Sequence, residues 1–155
     1  PREVTISNVD HDPPICCTFD YNNEYIFLLT AKGTIFCQKI ELVATKNKMF
    51  LDKSALFIHH FIDRNYILVA FYDSICVFDL TRSVDDIIIY KKLNHFEIIL
   101  GKISYVKISY NNKYIAVVTL INNNPSVHLY EILSTGFSPI NIFTGFNSEI
   151  VCVDF

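Results

Sequence analysis

This chain contains the same passage three times. Asp20-Tyr21-Asn22-Asn23-Glu24-Tyr25-Ile26 matches Ser109-Tyr110-Asn111-Asn112-Lys113-Tyr114-Ile115, and Phe61-Ile62-Asp63-Arg64-Asn65-Tyr66-Ile67 is a shorter version of both. Each passage is a polar turn between two apolar runs. Downstream of each comes a second shared segment: Ile35-Phe36-Cys37-Gln38-Lys39-Ile40, Ile75-Cys76-Val77-Phe78-Asp79-Leu80 and Val127-His128-Leu129-Tyr130-Glu131-Ile132. Successive copies stand roughly 40 and roughly 50 residues apart, the spacing of four-stranded repeating units. That period excludes a coiled coil. Helical repeats fit poorly, because the apolar runs are broken by turn residues rather than spaced for one face of a helix.

Each unit reads as an antiparallel meander. The first has strands over 15–19, 25–30 and 34–40, with a weaker outer strand near 48–51. The second uses 56–61, 66–71, 75–80 and 86–91, and the third 103–108, 114–121, 127–132 and 140–144. With 51% hydrophobic residues, 13 Phe, 9 Tyr and only 4 Gly, the chain folds by burying much apolar surface. Runs such as 25–29 and 67–72 fall well short of the roughly 20 apolar residues a membrane helix needs. Rich in Ile, Val, Phe and Tyr, they read as strands covered on both faces, as in a sheet stacked between other sheets.

The segment Gly145-Phe146-Asn147-Ser148-Glu149-Ile150-Val151-Cys152-Val153-Asp154-Phe155 resembles the opening of a WD40 repeat, a Gly-His pair followed by spaced apolar residues ending in Phe. Phe78-Asp79 and Tyr130-Glu131 stand where that family has its Trp-Asp pair, and Asp73 stands at its turn acid. The resemblance covers nearly the whole chain. It implies an all-β fold: a partial β-propeller of WD40 type, about three four-stranded antiparallel blades plus flanking single strands. On this reading 1–155 is a single partial propeller domain. Residues 1–14 are the outer strand of a preceding blade, near 4–6, and a loop; 15–53, 54–92 and 93–146 are one blade each; 147–155 is the first strand of the next blade. A closed ring needs more blades, so the sequence reads as a fragment whose uncovered faces make it poorly soluble alone. Phe146 replaces the family's His, Gln38-Lys39 replaces the Trp-Asp pair in the first unit, and Lys32 stands at its turn acid. The family's polar network therefore cannot form fully, and apolar packing is expected to carry these blades.

Chemistry-bearing residues are scattered. His59, His60 and Asp63 suggest a metal site, but neighbours on a strand point to opposite faces, so the two imidazoles cannot share one ion without distortion. His11-Asp12 reads as loop before the first strand. Five cysteines, Cys16, Cys17, Cys37, Cys76 and Cys152, show no CxxC spacing and leave one unpaired in any full disulfide scheme, so they read as buried, reduced thiols. No nucleophile elbow accompanies Cys16 and Cys17, and there is no phosphate-binding glycine loop. No cofactor and no metal are expected. Basic residues gather at Lys46-Asn47-Lys48 with Lys53, and at Lys91-Lys92, in outer strands and loops where solvated charge is the ordinary role. The contact candidates are Asn122, Asn123 and Asn124, in a longer polar hairpin loop running on to Pro125-Ser126, together with Lys91 and Lys92 at a blade rim.

Thirteen basic residues against 16 acidic ones, a net charge of −3, supply no global attraction to a phosphate backbone or an anionic membrane. Lipid-binding propellers carry a Phe-Arg-Arg-Gly motif, and no Arg-Arg pair occurs here. Sialidase-type blades carry Ser-x-Asp-x-Gly-x-Thr-Trp turns, and this chain has no Trp. The lack of an Asn-x-Ser/Thr acceptor agrees with an intracellular site, cytoplasmic or nuclear. The expected function is a scaffold for protein–protein interaction within a larger complex, with no catalysis of its own, no membrane contact and no small-molecule substrate. The alternative is a non-catalytic subunit of an RNA-modifying enzyme. Residues 114–132 followed by 140–143 are weakly similar to a late blade of the propeller subunit of the tRNA guanine-7 methyltransferase, and RNA would then be reached only through a partner.

Overall fold

The structure is a computed structural model that describes residues 12–20, 22–40, 46–61, 64–82 and 88–155. Those residues form three four-stranded antiparallel sheets, each a meander in chain order. The first holds β1 (Pro14–Phe19), β2 (Tyr25–Thr30), β3 (Thr34–Lys39) and β4 (Lys46–Phe50). The second holds β5 (Ala55–His60), β6 (Tyr66–Phe71), β7 (Ser74–Arg82) and β8 (Ile88–Ile99). The third holds β9 (Ile103–Ile108), β10 (Tyr114–Ile121), β11 (Asn124–Leu133) and β12 (Gly136–Phe143).

The sequence repeat has a hydrogen-bond counterpart in every sheet. At the turn between first and second strands, the N–H groups of Asp20, Phe61 and Ser109 donate to the carbonyls of Tyr25, Tyr66 and Tyr114, at 3.1, 3.0 and 3.0 Å. Asp20 Oδ1 and Ser109 Oγ then accept the N–H of Tyr25 and Tyr114, at 2.8 and 2.9 Å. Asn23 and Asn112 occupy equivalent positions with φ of 55° each, a left-handed conformation that Asn tolerates better than most residues. A further bond recurs where the third strand ends: Ile40, Leu80 and Ile132 donate to Glu24, Asn65 and Lys113, each at 2.7 Å. The first strand of every sheet also skips one residue against its neighbour, leaving Ile15, Leu56 and Ser104 unpaired. Such bulges increase the local twist.

Side-chain alternation explains why the sheets stack. From β6, Ile67, Val69 and Phe71 enter a core shared with Tyr25, Phe27, Leu29, Ile35 and Cys37 of the first sheet. The intervening Leu68 and Ala70 enter a second core with Val106, Ile115 and Val117 of the third. The run Tyr66-Ile67-Leu68-Val69-Ala70-Phe71 is apolar throughout because both faces of its sheet are covered. First strands lie side by side, β1 against β5 and β5 against β9, while β12 meets β8 farther out. The sheets are thus arranged as blades around an axis and do not close into a ring.

Two segments depart from the sequence reading. β8 runs to Ile99, past residue 92, where the second blade is expected to end. Its pairing with β7 jumps from Val77 opposite Leu93 to Cys76 opposite Glu97, so Asn94, His95 and Phe96 bulge out of the ladder. Phe96 is 1% exposed in the seam with the third sheet, 6.2 Å from the Tyr66 ring and 5.5 Å from the Phe137 ring. Segment 147–155 forms no ladder. Ile150 and Val153 pack on Ala116, Val118 and Val127, on the face of the third sheet turned away from the second. Asp154 reaches Lys107 of β9 at 3.0 Å. The outer strand expected near 4–6 lies outside the described residues.

Candidate functional site

The hairpins β2–β3, β6–β7 and β10–β11 all turn at the same end of the stack, next to the segments entering or leaving each sheet. Ala31 N–H donates to Pro13 O at 3.0 Å and Leu51 N–H to Gly33 O at 2.8 Å. In the second sheet Leu100 N–H donates to Asp73 O at 3.1 Å and Ile103 N–H to Tyr72 O at 2.6 Å. Each tip is tied by its own polar cluster. In the first, Asp12 accepts from the Thr30 hydroxyl and from Lys32 N–H, and Thr30 Oγ1 accepts Thr34 N–H at 3.0 Å. In the second, the Lys53 ammonium bonds Asp73 and the Ser74 hydroxyl, which itself donates to Asp73 at 2.8 Å. In the third, the Thr119 and Ser126 hydroxyls are 2.8 Å apart and each lies 3.1 Å from His128 Nε2. These clusters are local ties and not the family's network, so the expectation that that network cannot form fully stands beside them. Each tip's tie is built from different residues, and only Asp73 stands at the position that the WD40 resemblance names.

The structure divides the contact candidates between two sheets. Asn122 and Asn123 form a two-residue turn with φ of 51° and 63°. Positive φ at both central positions is the type I′ arrangement whose twist suits a tight hairpin. The longer loop expected there is absent: β11 begins at Asn124, and Asn124, Pro125 and Ser126 pair with Ile121, Leu120 and Thr119. Asn122 and Asn124 line a depression of about 420 Å³ with Thr144, Gly145 and Phe146. Lys91 and Lys92 lie in β8, opposite Asp79 and Phe78. Lys92 is not a free cation, since its ammonium holds Glu97 at 2.8 Å, which raises the lysine pKa and lowers that of the carboxylate. It lines a separate groove of about 280 Å³ between the first two sheets, with Met49, Leu51 and Lys53 on one side and Phe71, Cys76 and Phe78 on the other. That groove is invisible in sequence because its walls come from strands of different repeats.

The remaining candidates fall into structural roles. His60 turns toward the first sheet and stacks on Phe27 at 5.8 Å. His59 turns the other way, and its Nε2 donates to Asn112 Oδ1 at 2.9 Å, tying the second sheet to a turn of the third. Burial lowers the His59 pKa more than this acceptor raises it. Asp63 and His11 lie outside the described residues. Among the described residues no three His, Cys, Asp or Glu side chains are grouped to hold a metal. No disulfide joins the five cysteines; Cys37 and Cys76 are buried as expected, Cys16 is half-buried, and Cys17 and Cys152 are exposed. Cys17 sits on the first strand of the first sheet and Cys152 in 147–155, and none of the described sheets covers either. The thiol of Cys16 donates to Ile58 O at 3.7 Å, and burial pushes its pKa up, away from a reactive thiolate. Lys48 lies over the Phe36 ring at 5.1 Å, and Lys53 over Phe71 at 5.0 Å.

No family model and no curated protein sequence matches this chain. Solved structures do. The β-propeller domain of Cps50 (Swd1) from Myceliophteria thermophila superposes with a TM-score of 0.66 at 15% identity, over 86% of this chain and 44% of that one. Sqt1 of Saccharomyces cerevisiae superposes with a TM-score of 0.67 at 8% identity, over 89% of this chain and 36% of that one. The fold is a partial β-propeller. Hydrazine synthase of Kuenenia stuttgartiensis matches with a TM-score of 0.62 at 15% identity, over 84% of this chain and 37% of that one. This partial propeller thus spans less than half of each of these chains. One of the three carries an enzyme's name, so propeller architecture by itself does not decide between binding and catalysis.

Proposed function

We propose that this WD40-type propeller is an interaction scaffold for protein partners, without catalysis of its own, and that it works in a reducing intracellular compartment. The observation that carries the reading is the convergence of three polar-tied hairpin tips on one end of a tightly packed stack. Rigid sheets that present loops at fixed spacing are what recognition requires, because little ordering entropy remains to be lost on binding. The depression beside Asn122 and Asn124 and the groove beside Lys92 both open at or near that end. Five cysteines outside any disulfide, two of them exposed, fit a compartment where disulfides do not persist.

Affinity purification of the full-length protein from its native cells tests this. The scaffold reading expects a stoichiometric protein complex, and recovery as a free monomer contradicts it. Asn123→Gly is the informative variant, since Asn-Gly keeps a type I′ turn while removing one candidate side chain. It should leave the fold intact and lower partner recovery.

A further inference from the structure

The groove between the first two sheets has an apolar floor of Phe71, Cys76 and Phe78, all buried, and an apolar wall that ends in Phe50, 75% exposed. Its volume of about 280 Å³ lies below the range typical of small-molecule sites, and so suits a single side chain. Charges edge it unevenly. Lys53 is held by Asp73 and Lys92 by Glu97, which neutralises both ammonium groups. Asp52 also lines the groove, exposed and with no ion-pair partner among the described residues. The rim therefore presents one uncompensated carboxylate beside an apolar slot.

We propose that this groove receives an extended segment of a partner protein that inserts one bulky aliphatic residue between the two sheets and places an adjacent Lys or Arg against Asp52. The inference deepens the scaffold reading, on which it rests for the partner being a protein. Burial of the apolar side chain supplies the affinity, and the cation opposite Asp52 sets direction and selectivity. A small-molecule reading is weaker, because the slot is shallow toward solvent at Phe50 and both of its ammonium groups are already held by carboxylates, which leaves Asp52 alone to fix a ligand.

The test uses capped dipeptides added at millimolar concentration to the 15N-labelled chain, followed through the amide signals of Leu51, Lys53, Phe71, Ser74 and Cys76. Acetyl-Leu-Lys-amide should give saturable shifts at these positions. Acetyl-Ala-Lys-amide should bind about tenfold more weakly, from the lost apolar burial. Acetyl-Leu-Glu-amide should bind about two- to fivefold more weakly, the scale of one exposed charge pair. Asp52→Lys, a surface change that leaves the core alone, should reverse the preference between the last peptide and the first. The proposal is overturned if no dipeptide shifts these signals, if Leu and Ala peptides behave alike, or if Asp52→Lys leaves the charge preference unchanged. Signals that move with protein concentration alone would show a second copy in the groove and overturn it as well. A complex recovered from cells together with silent dipeptides removes this proposal but not the scaffold reading; dipeptide binding without any complex does the reverse.

Discussion

The missing Cβ of Gly136 admits a neighbouring strand, whereas that of Gly145 faces open space. Gly136 has φ of 139°, and a Cβ there would lie 2.7 Å from the carbonyl oxygen of His95 in the β8 bulge. Gly145 has φ of 86° but nothing within 4 Å of such a Cβ. Gly136→Ala combines backbone strain with a clash and should cost on the order of 2–3 kcal/mol in a urea melt. Gly145→Ala meets strain alone and should cost about 1 kcal/mol. Equal losses would contradict the close approach of β8 to the third sheet. Histidines give the second prediction. His59 and His128 are both held below their ordinary pKa by burial. The unfolded chain then binds more protons than the native one once pH falls below about 6.5, so stability is complete above that pH and declines through the acid side of it. Urea midpoints measured between neutral and mildly acid pH should fall accordingly, and His59→Gln should flatten the curve. A midpoint that rises on acidification would contradict the buried, neutral imidazoles.

Elements were legible in this sequence to the degree that their residues obey one period. Strands such as β2, β6 and β10 are continuous apolar runs bounded by the Asn-containing turn, and their limits at Tyr25, Tyr66 and Tyr114 follow directly from it. β8 was legible only in part, because Lys91-Lys92-Leu93-Asn94-His95 interrupts the apolar alternation while the backbone continues through a bulge. The start of β11 was hidden by Asn124-Pro125, which reads as loop chemistry although both residues pair with β10. Sites suffer more than strands. Asn122 and Asn123 stand out in the sequence by their polarity, whereas their positive φ values show that the turn itself favours Asn there. The groove residues carry no local signal, since Leu51 and Phe71 look like any core residue until the sheets are stacked. At the bulge, Phe96→Ala empties the aromatic contact among Tyr66, Phe96 and Phe137 and should cost roughly 3–5 kcal/mol by chemical denaturation. Tyr110→Ala, at a residue 88% exposed, should stay within about 0.5 kcal/mol. A Phe96→Ala loss as small as that of Tyr110→Ala would show that β8 does not insert between the sheets.

For the whole molecule, stacking decides stability and also leaves something undone. Among the described residues, only the second sheet is covered on both faces by other sheets. On the third, Ile150 and Val153 cover part of the far face, while Ile140 and Ile142 on β12 remain 50% and 56% exposed. Of the three described outer strands, β12 is also the one without a charged residue, in contrast to Lys48 on β4 and Lys91 and Lys92 on β8. Its edge is blunted by other means: Pro139 lacks an N–H, Ile140 is bulged, and Asn141 Oδ1 accepts the N–H of Ile142 at 2.9 Å. Sedimentation velocity of the 155-residue chain should show association that grows with concentration and weakens when Ile140 and Ile142 are both replaced by Lys. A strict monomer across the range would mean that these faces are better sealed than the geometry indicates. The molecule is built on three separate ladders, and through-space proton contacts across strands test that most directly. Such contacts should join Cys17 to Leu28 and Phe36 to Lys48, then stop at β4 and begin anew at β5. A ladder joining 46–50 to 55–60, as in one continuous sheet, would contradict it.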